Sequence, residues 1–295
     1  MRMTMAQSQS PIASTPDRGS PVQAVAFATI MVHVDIERDC ESRVQLALAL
    51  ADRFQATLIG VAGLALRPAF AASGVVVYHE PTDRDRRAAS ARFDDMGRRF
   101  RDKGQYLKQV EWRSSLELPH ELVSRQARAA DLIIVAARDG GGRHLVDPGV
   151  ILLRAGRPVL VVPEAVAPPQ LRRVIVAWKD TRECRRAVRD ALPFLQQAKE
   201  VLIVGLGEGK PDPGAKKNLS DVAGYLRRHR VAVAREVWRQ ARGPVAAELL
   251  QLAREEGADL IVAGGYGHSR LGEWIFGGVT HELLGSSPVC CMLSH

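Results

Sequence analysis

The chain has little that would commit it to a membrane, a metal or a nucleic acid. Over 295 residues no apolar run approaches the roughly 20 residues that a membrane helix needs. Only four cysteines occur, Cys40, Cys184, Cys290 and Cys291, and they show no CxxC or metal-ligand spacing. Cys290 and Cys291 are adjacent in a strand-like run, so they point to opposite faces and are poorly placed to share an ion. Buried thiols in a reducing cytoplasm are the expectation. Aromatic residues make up 5% of the chain and do not interleave with the arginines as base stacking requires. The net charge of +8 is spread over helical faces, among them Arg84, Arg86, Arg87, Arg98, Arg182, Arg185 and Arg227. No specific nucleic-acid partner is expected, only weak attraction to polyanions. A secretory leader is not expected either, because Arg2 alone makes a poor basic segment and Ala24 to Val34 reads as a core strand. Residues 1–24, rich in Ser, Pro, Gln and Thr, are expected to form a disordered tail.

What is present is the composition of a globular protein, 46% hydrophobic and 25% charged, long enough for one large or two ordinary domains. Apolar strand patterns alternate with helical ones along the chain. Strands are expected over 27–35, 56–62, 110–113, 131–136 and 157–163. Helices are expected over 38–51, 85–103, 119–129 and 148–155, while 64–81 reads as irregular. A linker, Ala165 to Gln170, follows, and the pattern restarts. Strands are expected over 174–178, 201–206, 231–238 and 259–263, with helices through 182–192, 219–226, 245–252 and 279–284 and a closing Pro288-Val289 strand.

The restart is a duplication. Arg38, Cys40, Val44, Ala47 and Leu48 recur as Arg182, Cys184, Val188, Ala191 and Leu192, each 144 positions on. Asp131-Leu132-Ile133 recurs as Asp259-Leu260-Ile261, and Pro158-Val159 as Pro288-Val289, at offsets of 128 and 130. The first copy therefore carries a longer middle. Two Rossmann-like α/β units are expected, over 25–164 and 171–295, each a five-stranded parallel sheet flanked by helices. Ligand crevices belong at the carboxyl ends of such strands.

One stretch carries legible small-molecule chemistry. The strand ending at Ala263 runs into Gly264-Gly265-Tyr266-Gly267, and Gly277-Gly278-Val279-Thr280 opens the next helix. Glycines there let the backbone approach a phosphate, and the amides and dipole of the following helix favour the anion. A duplicated α/β unit ending in Gly264-x2-Gly267-x9-Gly277 resembles the universal stress protein family, here as a tandem member, and the likeness covers nearly everything from Phe27 onward. The resemblance implies a stress-response or signalling role in the cytoplasm and an adenine nucleotide, ATP with Mg2+, in the second half. It maps the nucleotide contacts to Ala177, Lys179, Asp180, Leu206, Ala263, Gly264, Gly267, Gly277, Gly278, Val279 and Thr280. It also implies pairing of the two units within the chain and a homodimer as a further possibility.

The sequence departs from that family's pattern at two points. Gly278 stands where a Ser or Thr follows the last motif glycine, so a hydroxyl ligand is missing while backbone amides remain. Lys179, beside Asp180, stands where the first strand of an ATP-binding member ends in Asp. The first half shows the complementary loss: Asp35 is in place, yet Gly140 to Gly149 lacks the motif spacing, so this half reads as structural. Two other functions stay open on the residues, slow hydrolysis of or transfer from ATP, and a ligand-free interaction module. His268 and His281 lie near the motif without a nucleophile or acid partner, and Trp274 and Phe276 read as packing residues.

Overall fold

The computed structural model of the chain describes residues 26–66, 69–72, 75–78, 82–138, 146–164, 167–207, 209–211, 213–266 and 278–295. The expected tail lies outside them. So do the first-half glycine run over 140–145 and, in the second half, Gly267, Gly277, His268, Trp274 and Phe276.

The first half runs β1 (Thr29–His33), α1 (Glu41–Phe54), β2 (Thr57–Gly63), β3 (Ala69–Ala72), β4 (Val75–Tyr78), α2 (Asp83–Lys103) and β5 (Val110–Ser115). It continues with α3 (Pro119–Gln126), a 3-10 turn over Ala127–Ala129, β6 (Leu132–Ala136), α4 (Pro148–Arg154) and β7 (Val159–Val162). The second half runs β8 (Arg173–Trp178), α5 (Arg182–Asp190), α6 (Leu192–Gln197), β9 (Glu200–Gly207), α7 (Pro213–Arg228) and β10 (Val233–Gln240). It closes with α8 (Val245–Glu256), β11 (Leu260–Gly264), α9 (Gly278–Gly285) and β12 (Cys290–Ser294). The extra middle of the first half, expected to be irregular, contains the antiparallel β3–β4 hairpin.

Each half supplies five parallel strands, as the repeat requires, and the two sets join edge to edge. The order is β10-β9-β8-β11-β12-β7-β6-β1-β2-β5, one ten-stranded sheet that is parallel except where β12 meets β7 antiparallel. That seam is symmetric. Val161 faces Cys291, and Cys291 is also the residue 130 positions on, the offset that relates Pro158 to Pro288. Equivalent strands thus pair with each other across a local two-fold, which closes one edge of each five-stranded set. An edge strand left bare would present unpaired amides and carbonyls.

Strand alternation sends side chains to two cores, one on each face. Ile30, Val32, Val174, Val176, Cys290 and Met292 pack with α1, α2, α5, α6 and α7. Met31, Ile133, Ile175, Ile261, Cys291 and Leu293 pack with α3, α4, α8 and α9. Cys290 and Cys291 thus enter opposite cores, as their adjacency demands, and burial pushes both thiols up to about 12. Both cores run through the seam. On the α1 side Phe27, Phe54 and Phe194 meet edge to face, with ring centroids 5.1 to 5.4 Å apart, so one aromatic cluster is shared by both halves. Arg53 of α1 donates to the Pro169 carbonyl at 3.0 Å and ties down the connecting segment.

Surface charge is largely spent locally. Arg173 pairs with Glu200 and Glu256, Arg239 with Glu248 and Glu255, and Arg227 with Glu236. Exposed pairs of this kind add little stability each. No described helix is long and apolar enough to cross a membrane.

Candidate functional site

In each half the sheet reverses its winding beside the first strand, between β1 and β6 and between β8 and β11. Crevices of open α/β sheets form there, at the carboxyl ends. In the second half, Ala177 pairs in register with Ala263 on one side and Val204 on the other, with Leu206 two residues further along β9. Ala177, Leu206, Ala263 and Val279 all pack on the α8–α9 face. Gly264, the next residue along β11, faces α5 on the other side of the sheet. Lys179 and Asp180 are exposed just beyond β8, and Asp180 pairs with Arg185 at 2.7 Å.

Beyond β11 the chain makes a sharp turn. Tyr266 adopts φ of 53°, a left-handed conformation that costs a side-chain-bearing residue energy. Its amide donates to Thr280 Oγ1 at 3.1 Å, so that hydroxyl, buried within α9, anchors the glycine loop. α9 opens on exposed Gly278 and has no acidic residue in its first turn. Among the described residues the donors at that helix end are backbone amides, a chemistry that suits a phosphate. Gly267 and Gly277 fall outside the described residues.

The first half uses the corresponding positions differently. The strand registers place Ile30 opposite Leu132 and Val174 opposite Leu260, so the 144-residue offset puts Asp35 at the position of Lys179. After β8, Thr181 caps α5 at once, its hydroxyl accepting the Cys184 amide at 3.3 Å. The counterpart of Thr181 is Glu37, and there the helix does not start. Asp35 Oδ1 instead accepts the amides of Glu37 and Arg38 at 2.9 and 3.2 Å, and Asp39 Oδ1 accepts that of Glu41 at 2.9 Å. Such side-chain turns compete with helix. α1 consequently begins at Glu41, three residues later in the repeat than α5.

The delayed start leaves a cavity of about 270 Å³ between the ends of β1, β6 and β7 and the first turns of α1 and α4. His33, Asp35, Arg43, Ala136, Asp147 and Glu164 are among its lining residues. In the second half the same space is shut: a Cβ on Gly264 would lie 2.6 Å from the Cys184 amide nitrogen. The α4 amide end is also filled. Asp147 Oδ1 accepts the Gly149 and Val150 amides at 2.7 and 3.3 Å and the Arg138 guanidinium at 2.9 Å. A carboxylate of the chain itself thus occupies the anion position of the first half.

The two sites touch. The Arg138 amide donates to the Leu284 carbonyl of α9 at 2.6 Å, and a Cβ on Gly149 of α4 would meet the Tyr266 hydroxyl. Burial raises the Tyr266 phenol above its ordinary range, opposed by the charge of Arg138. His33, Arg43 and Arg138 were not singled out from sequence. A buried histidine and arginine at one strand end and one helix turn carry no spacing signal, since the loop that joins them is particular to the first half.

Residues 170–295 match the sequence profile of the universal stress protein family. Among solved structures, a universal stress protein from Archaeoglobus fulgidus superposes with a TM-score of 0.68 at 14% identity, covering 90% of this chain and 98% of its own. A protein of unknown function from Pseudomonas aeruginosa superposes with a TM-score of 0.54 at 16% identity, covering 90% and 92%. Curated proteins offer no significant match. The second half of the chain, residues 170–295, thus carries the sequence profile of the universal stress protein family, and nearly the whole chain shares the fold of these solved structures.

Proposed function

We propose that this is a tandem universal stress protein with a stress-response role, whose second half binds an adenine nucleotide at the carboxyl ends of β8, β9 and β11. What supports the reading is that Ala177, Leu206 and Ala263 lie on the face covered by α8 and α9, and that α9 has no acidic residue in its first turn. Ala177 and Leu206 would flank the adenosine, and Gly264, Gly267, Gly277 and the amides of Gly278 and Val279 would hold phosphate. Lys179 would supply positive charge where a carboxylate would repel, which compensates in part for the hydroxyl lost at Gly278. Thr280 would act through its grip on the Tyr266 amide, positioning the loop rather than touching ligand. The first half takes no nucleotide in this reading, because Asp147 already fills its anion position.

The same engagement of Thr280 favours the second reading, a ligand-free interaction module. Calorimetric titration with ATP and Mg2+ separates the two. The expected outcome is saturable binding of one nucleotide per chain, weakened at least tenfold by Gly267→Val. Silence of the wild-type protein would defeat the nucleotide reading, and undiminished binding by the variant would move the site elsewhere.

A further inference from the structure

Arg43 is the outstanding chemical oddity of the first half. It is 8% exposed, on the first turn of α1, and its Nε donates to the His33 carbonyl at 3.0 Å. Among the described residues no carboxylate lies within ion-pair distance of its guanidinium. Asp35 attracts it at longer range and Cys40 shares a hydrogen bond with it, yet a buried arginine without a direct ion pair is costly. The guanidinium lines the 270 Å³ cavity, so a partner has room.

The cavity restricts what that partner is. At ~30 Å³ for each water, its volume corresponds to on the order of nine waters. It is therefore at the lower end of small-molecule sites, which favours a compact ligand. The carboxylates of Asp35, Asp39, Asp147 and Glu164 surround it against the guanidinium groups of Arg38, Arg43 and Arg138. A dianion would meet repulsion there, whereas a single negative charge is welcome at Arg43. The planar fork of a guanidinium matches a carboxylate with two parallel hydrogen bonds. The surrounding acids favour a ligand that also carries hydroxyl donors.

We propose that the first half binds a compact hydroxycarboxylate in this cavity, with the carboxylate seated on Arg43. The half that lost its glycine spacing is then a second ligand site rather than a scaffold, selective for a different chemistry from the second half. It does not depend on nucleotide binding there.

The test uses the full chain and four probes, lactate, glycerate, acetate and inorganic phosphate, followed by calorimetry and by ligand-induced shifts in melting temperature. The expected result is saturable binding of lactate or glycerate, tighter than acetate and phosphate. Arg43→Met should weaken it at least tenfold. Ala136→Leu, which fills the cavity without touching the charge, should abolish it while leaving the melting temperature of the free protein within a few degrees of wild type. Failure of all three carboxylates to bind would overturn the proposal. So would stronger binding of phosphate, or binding unaffected by both substitutions. An ATP titration repeated with saturating glycerate keeps the two sites apart, because the first-half site should not compete with nucleotide.

Discussion

The two halves share strand order, register and closing strand, and they differ most in seven residues after the first strand of each. In the first half Asp35 and Asp39 bend the chain through side-chain turns on either side of Glu37, and α1 starts late. In the second, Lys179, Thr181 and Glu183 occupy the same places, and Thr181 caps the helix immediately. One capping hydroxyl against two turn-forming carboxylates decides whether the space beside the next strand is open or closed. The same comparison holds at the far side of the crevice. α4 carries its own anion, Asp147, while α9 opens on Gly278 with no acidic residue in its first turn. Under the nucleotide reading proposed above, each half keeps one part of an anion-binding crevice and gives up another. Duplication lets such losses be complementary, because a chain with two crevices can specialise each.

The sharpest way to break this contrast is at the residue after each fourth repeat strand's apolar run. Gly264 lies against the backbone of Glu183 and Cys184, with a would-be Cβ only 2.6 and 2.8 Å from main-chain atoms that cannot swing aside. Gly264→Val should cost about 3 kcal/mol, as overpacking against rigid neighbours does. Its counterpart Ala136 faces the cavity, and Ala136→Val should cost less than about 1 kcal/mol. Urea unfolding of both variants measures the difference. Equal losses would show that the first-half cavity collapses in solution.

Acid sharpens the comparison next. Burial, reinforced by the charge of Arg43, lowers His33 from 6.5 to about 3, and Ala177 stands at the matching position of the second half. The facing groups are Arg43 from α1 and Asp35 from the loop after β1. The folded imidazole stays neutral down to about 3, while the unfolded one takes up a proton near 6.5. The unfolded chain therefore binds more protons throughout that window, and stability must fall as pH drops through it. The slope from this one group approaches about 1.4 kcal/mol for each pH unit below 6.5, or roughly 2 kcal/mol at pH 5. His33→Asn should flatten the acid limb of stability against pH. An unchanged limb would place the acid sensitivity in another group.

Much of this architecture was legible in the sequence, because parallel strands buried on both faces write continuous apolar runs and the repeat wrote them twice. The 144-residue offset located Lys179 opposite Asp35, and the strand registers agree with it. What sequence could not carry was long-range. The joining of two five-stranded sets through Val161 and Cys291 depends on edge geometry, which no local pattern encodes. The separate short helix α6, with Phe194 in the aromatic cluster, begins at the end of the helix expected over 182–192, where Pro193 interrupts the period. The hairpin Ala69–Ala72 and Val75–Tyr78 was hidden by the turn residues that flank it. Ala177, Leu206 and Ala263 lie on one face of the second-half sheet, while Gly264 turns to α5 on the other. Thr280 turned inward to hold Tyr266, which its spacing from the helix start did not reveal.

The smallest expected effect concerns the anion that the first half carries in its own chain. Asp147 caps α4 with two amide contacts and also receives Arg138, all through one oxygen. Asp147→Ala removes both roles and should cost about 1 kcal/mol, the usual loss for an N-cap. Asp147→Asn retains a side-chain acceptor for the amides and gives up the charge, so a few tenths of a kcal/mol is the expected loss. The order of the two variants tests the reading of this residue. If Asn were as damaging as Ala, the carboxylate charge opposite Arg138 would matter more than the cap. Asp147 would then belong mainly to the contact that joins Arg138, Tyr266 and α9 across the seam, and the two crevices would be coupled through it.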